Sequence, residues 1–144
     1  SALEGFGLDI IMNEIHNRLP QGEPYFPDDA LTDRPERFFV SEIIREKILL
    51  NYDKEIPYSV EIVIEKFKEE RHIINIDAVI NVARESQKGI IIGHQGKALK
   101  KIGTQARKDL EFFFKKKIFI QLFVKVAKNW RDNEQDLKRF GYFI

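Results

Sequence analysis

Apolar residues recur along this chain at two periods, and the switches between them divide it into elements. Leu8, Ile11, Met12 and Ile15 repeat at helical spacing until Leu19-Pro20 ends the pattern, which predicts an N-terminal helix with no core of its own. Pro20, Gly22, Pro24, Pro27 and Pro35 then interrupt both periods, so residues 20–35 read as a linker and the main domain boundary. Thr32 or Asp33 can cap the helix that follows, with Pro35 in its first turn and Glu36 near the positive end of its dipole. This helix runs to about Leu50, and its stripe of Phe39, Val40, Ile43, Ile44, Ile48 and Leu50 is expected in the core. Arg34, Arg37, Glu42 and Arg45 occupy its more polar faces.

From Tyr58 the period drops to two. Val60, Ile62 and Ile64 alternate with Glu61 and Glu65 in a first strand, and His72 to Val82 alternates again in a second, with a charged turn at residues 68–71. A short helix around residues 87–92 leads into Gly93-His94-Gln95-Gly96, and a long helix follows from Lys97 to about Phe114. In that helix Leu99, Ile102, Ala106, Leu110 and Phe113 share one face, which predicts contact with a sheet, while Lys97, Lys100, Lys101, Arg107 and Lys108 lie off it. Gly103 in the middle of the helix costs about 1 kcal/mol relative to alanine, which predicts a close neighbour at that turn. Ile118, Ile120, Leu122, Val124 and Val126 form the longest clean alternation in the chain, and a central strand is expected there. Residues 129–144 read as a short polar helix with Trp130, Leu137 and Phe140, ending near Gly141.

Composition narrows the class. With 144 residues, 43% of them hydrophobic, the chain can build one ordinary core plus an appended element. No apolar run reaches the roughly 20 residues a membrane span needs, so contact with a membrane would be peripheral. The absence of cysteine removes disulfides and thiolate metal sites and fits a reducing compartment. The net charge of +1 conceals an uneven distribution: residues 84–117 hold ten Lys or Arg against three Asp or Glu, and the rest of the chain is acidic.

That basic segment coincides with the glycine loop. Glycine at both ends of a two-residue step lets a sugar-phosphate backbone lie against the main chain, and Lys97, Lys100 and Lys101 place charge beside the amides of a helix start. Together they read as a phosphate-backbone clamp. A nucleotide-hydrolysing P-loop is excluded, since position 91 is Ile where glycine is needed and position 98 is Ala where Ser or Thr is needed. His16, His72 and His94 lie in different elements, which argues against a shared metal site; His72 reads as a solvent-edge residue. His94 can donate to a phosphate or stack on a base, or serve only as a small soluble turn residue.

Ile91-Ile92-Gly93-His94-Gln95-Gly96 followed by Leu99-Lys100-Lys101-Ile102-Gly103 resembles the nucleic-acid-binding loop of a KH domain. Residues 33–38, 93–103 and 124–131 further resemble the C-terminal region of the Era family of ribosome-assembly GTPases, in a likeness that runs almost continuously from 20 to 144. It implies an α+β fold of type II KH domain over residues 36–144, a three-stranded sheet with helices on one face, plus the N-terminal helix. Ser1-Ala2-Leu3 is similar to that family's guanine-loop motif, which implies that residues 1–19 are the last helix of a truncated GTPase domain. Members often carry lysine inside the loop, where His94 and Gln95 stand here.

The resemblance implies single-stranded RNA as the partner, specifically the 3′ end of small-subunit ribosomal RNA on the small ribosomal subunit, with the GTPase domain in cis. GTP and Mg would belong to the intact family protein; this chain is expected to need no cofactor and to be no enzyme. The implied location is the cytoplasm, with peripheral contact at the inner membrane as an option. The RNA-binding candidates are Ile91, Ile92, Gly93, His94, Gln95, Gly96, Lys97, Lys100, Lys101 and Arg107, with Ile91, Ile92 and a sheet edge at residues 74–77 forming the groove that holds splayed bases. Trp130-Arg131 can stack on RNA or cap the domain, and capping is favoured. The alternative is a protein-docking domain that keeps the KH fold without binding RNA.

Overall fold

A computed structural model describes residues 1–22, 35–128, 130 and 133–139. Thr32, Asp33, Arg34, Arg131 and the expected helix end near Gly141 lie outside the described residues. The chain divides into two compact units, Ser1–Asp33 and Arg34–Ile144. In the first, helix α1 spans Leu8–Arg18 and buries none of its residues. Among the described residues no helix is long and apolar enough to cross a membrane.

The second unit is built on a three-stranded sheet. After α2 (Glu36–Asn51) and one 3₁₀ turn come β1 (Glu61–Glu69) and β2 (Ile73–Val82), which pair antiparallel through a short turn. Helices α3 (Glu85–Ile92) and α4 (Lys97–Phe114) then make the crossover that brings β3 (Lys117–Val126) parallel to β2. A last helix, α5, spans Glu134–Arg139. This is the expected α+β, type II KH order. Val40, Ile44 and Ile48 of α2, and Ile102, Ala106 and Leu110 of α4, meet Ile74, Ile76 and Ile80 of β2 in one core, all of them essentially inaccessible to solvent. Trp130 is also buried, beside Leu137 and Val60.

Three expectations give way. The strand order is β1-β2-β3, so β2 is central and β3 lies at an edge. Alternation reports burial on one face only, and an edge strand covered on one face alternates as cleanly as a central one; β2 betrays its position instead by the unbroken burial of Ala78 to Val82. Leu50 is 70% exposed, because it lies about 120° around the helix from Ile44; Lys47 is buried instead, paired with Asp109 of α4 and with Glu46. Phe113 is also exposed. It stacks on Phe39 at 5.2 Å, while its neighbour Phe114 reaches Phe67 and the core.

The other edge of the sheet is closed by α2. Arg37 Nη1 donates to the carbonyl of Ile64 at 2.7 Å and Arg45 Nη1 to that of Val60 at 3.2 Å. Two guanidinium groups thus satisfy outward-facing acceptors along β1, which removes a template for further strand pairing. Among the described residues β3 receives a single contact of this kind: the Ile118 amide donates to Glu111 Oε1 at 3.3 Å.

Candidate nucleic-acid interface

The loop begins where α3 must stop. Gln87 Oε1 accepts from the amides of Ala83 and Arg84 at 3.0 and 3.1 Å, anchoring the start of α3. Its end is held by Tyr52, whose hydroxyl donates to the Ile91 carbonyl at 2.7 Å; burial pushes the pKa of that phenol up. Asn51, one residue earlier, donates to Gln105 Oε1 at 2.7 Å and so ties the end of α2 to α4.

Gly93 and Gly96 do different work. Gly93 sits at φ 70°, ψ 179°, a combination almost confined to glycine, and a Cβ there would lie 2.6 Å from the Ala98 Cβ. Gly96 sits at φ 73°, ψ 8°, and a Cβ built on it would meet nothing within 4 Å. The first glycine lets the chain turn into α4, whereas the second leaves an open approach to the main chain. Gln95 between them is also left-handed, at φ 52°. The opening turn of α4 adds amides without intrahelical partners, at the positive end of the helix dipole. His94, Gln95, Lys97, Lys100 and Lys101 are all exposed around it.

A concavity of about 500 Å³ runs from this loop along the seam between α4 and β3. Gly96, Lys100, Thr104 and Arg107 form one wall, and Leu99, Gly103, Ile120 and Leu122 the apolar remainder. Among the described residues no acidic side chain lines it. A Cβ on Gly103 would stand 3.4 Å from Leu122 Cδ1, so the glycine allows the close helix–strand approach expected from the sequence. The floor differs from the expected one. Ile91 is wholly buried, Ile92 is half-buried, and residues 74–77 belong to the central strand, so none of them forms the wall of this groove. The edge strand takes that place.

Being at the edge also frees backbone groups. Along a strand, alternate residues turn their N–H and C=O to the same side. Because Ile118 directs its N–H outward to Glu111, Ile120 and Leu122 direct theirs outward as well, toward the concavity. The groove therefore offers apolar surface, main-chain donors and acceptors, and two cations. Of the sequence candidates, Gly96, Lys100 and Arg107 line it, while Gly93, His94, Gln95, Lys97 and Lys101 lie at or near its loop end. Leu99, Gly103, Thr104, Ile120 and Leu122 were not among them; Gly103 carried the one usable signal, a glycine inside a helix. Among the described residues no group of three His, Asp or Glu is placed to hold a metal ion.

Residues 55–131 match the family model of the KH domain. Over nearly its whole length the chain is 54% identical to GTPase Era of Syntrophus aciditrophicus and 52% identical to that of Geotalea uraniireducens, with 99% of this chain aligned in each case. It spans about half of those relatives, 47% and 48% of their lengths. Among solved structures, an Aquifex aeolicus Era variant bound to GDP and aluminium fluoride superposes on the whole chain with a TM-score of 0.94 at 39% identity, covering 49% of that protein. An Era complex with MgGDPNP and nucleotides 1506–1542 of 16S ribosomal RNA does so with a TM-score of 0.93, again at 39% identity and 49% coverage.

Proposed function

Since the chain belongs to the KH domain family, we propose that it is a single-stranded RNA-binding module, the RNA-binding half of an Era-like GTPase, that takes the 3′ end of small-subunit ribosomal RNA during assembly of the small subunit. One observation carries this reading: the open glycine, Gly96, leads directly into a groove that joins apolar floor, free strand edge and the cations Lys100 and Arg107. Phosphates lie against the loop and the first turn of α4. Bases turn inward onto Leu99, Ile120 and Leu122, where the main chain of β3 reads their edges. Such a site suits unstacked bases and cannot reach the base edges of an A-form duplex. The RNA carried by the Era complex of similar structure supports the choice of ligand.

In this reading GTP and Mg are handled by the other half of the intact protein, and this chain neither binds nor hydrolyses GTP. Helix α1, with Ile11, Met12 and Ile15 exposed, is the last helix of that GTPase domain, its apolar stripe made to pack there. The working location is the cytoplasm, with peripheral contact at the inner membrane. Titration of the 144-residue chain with an oligonucleotide from the ribosomal 3′ end tests the central claim. The log of affinity should fall against the log of salt with a slope of about −2 to −3, from roughly three to four phosphate contacts at about −0.7 each. A flat salt response, or equal affinity for a perfect duplex, would favour a protein-docking surface instead.

A further inference from the structure

Beyond Arg107, past the far end of the groove, lies a second basic feature. The turn between α4 and β3 carries Lys115, Lys116 and Lys117, and the β1–β2 turn carries Arg71 and His72; the pairing of Ile73 with Lys117 brings the two turns together. Their five side chains line a single concavity of about 520 Å³. Part of the charge is already balanced, since Lys116 pairs with Glu69 and Lys68 with Glu70, while Lys115 lies 3.8 Å over the ring of Phe112. Arg71 and Lys117 are exposed and have no ion pair among the described residues. Uncompensated like charges in one hollow repel one another and work against the compact state. The turn that gathers them also holds Lys115, a residue with a side chain, in the left-handed region at φ 54°. Both costs fall on one spot.

Lys115 stands eight residues from Arg107 along α4, about 12 Å at the rise of a helix, and the same edge strand, β3, borders both hollows. Glu111 lies between them, and its carboxylate is turned to the amide of Ile118. We propose that this basic end is a second phosphate-binding site, which grips the backbone of the RNA strand where it leaves the groove. The edge strand that both hollows border and the sign of the charge select that occupant. The described residues that line the hollow are all Lys, Arg or His, which suits phosphate contacts that carry no sequence information. The inference rests on the RNA-binding reading above and adds that the bound segment is longer than the groove.

The test compares the 144-residue chain with its Arg71→Gln/Lys117→Gln double variant, using fluorescence anisotropy and three RNAs. One is a ribosomal 3′-end oligonucleotide that fills the groove, and the others are the same RNA lengthened at its 5′ or its 3′ end. One extension alone should tighten binding to the parent and steepen the salt slope by about 1.4, the share of roughly two further phosphates. The double variant should lose that gain and bind the short RNA as the parent does, with an unchanged melting temperature. If neither extension tightens binding, or if the variant weakens short and long RNA equally, the second site is refuted while the groove stands. A long RNA bound where the short one is not, and released by the double variant, refutes the groove and keeps this site. Failure of every RNA to bind removes both.

Discussion

Replacing each loop glycine by aspartate separates what the loop does for the fold from what it does for RNA. At Gly96, with φ 73° and ψ 8°, the new Cβ enters open space, and Asp tolerates the left-handed region better than most residues. The expected cost is about 1 kcal/mol, a drop in melting temperature of about 4 °C for a domain of this size. Binding should suffer far more. A carboxylate about 4 Å from a phosphate costs about 1 kcal/mol in bulk water and about 4 kcal/mol at the effective dielectric of a protein surface. Affinity should therefore fall by about fivefold to about a thousandfold. Gly96→Asn is the control, since it shares the tolerance of Asp for the left-handed region without the charge. At Gly93 the balance reverses. The conformation is almost exclusive to glycine and the Cβ would lie 2.6 Å from that of Ala98, so strain and overpacking together cost about 3 to 5 kcal/mol. Paired melting curves and RNA titrations decide the matter. A folded Gly96→Asp chain that binds RNA as tightly as the parent would refute the clamp, and equal melting temperatures for the two aspartate variants would refute the steric distinction.

Gly103→Ala should raise stability by up to about 1 kcal/mol in urea melts, because it gains helix propensity and Leu122 Cδ1 at 3.4 Å can yield slightly; the added methyl narrows the groove and should weaken RNA binding. Tyr52→Phe removes the hydrogen bond to the Ile91 carbonyl, and should cost about 1 kcal/mol with faster hydrogen exchange in the loop. The hydrogen bond that Lys47 donates to the Asp109 carboxylate raises the pKa of Lys47 above the usual 10.5, so the stability it contributes is full below that pH and is lost as pH rises through the folded-state value. Lys47→Met should flatten that alkaline loss in melts taken across pH 10.5 and lower stability at neutral pH by the share the ion pair supplied.

What the sequence revealed follows from which physical signals are local. The limits of α4, Lys97 and Phe114, were readable because a glycine precedes the first and an apolar stripe at helical spacing runs between them. The loop was readable because two glycines and a run of lysines coincide. Strand order was not, since the hydrogen bonds that make β2 central join residues 61–69 to 73–82 and 73–82 to 117–126, and nothing in any one strand records its neighbours. Tyr52 was invisible for the same reason: its partner, Ile91, is 39 residues away. Ile91 was expected, from the family resemblance, to be both groove floor and core, and the structure places it wholly in the core.

The mistaken centre of the sheet bears directly on the site. A central β3 would spend its N–H and C=O groups on strands at both sides, leaving a groove with apolar floor and charge but no means of reading a base edge. As an edge it keeps those of Ile120 and Leu122 free, an exposure that invites unwanted strand pairing. The two edges are treated in opposite ways: Arg37 and Arg45 close β1, while along the groove β3 stays open under the overhang of Lys100 and Arg107. The side chains of α4 that border this open edge, Lys100 and Arg107, are cationic. A narrow open edge guarded by positive charge admits a polyanion with flat, hydrogen-bonding bases more readily than a polypeptide, and for that reason the geometry favours RNA over a docked protein.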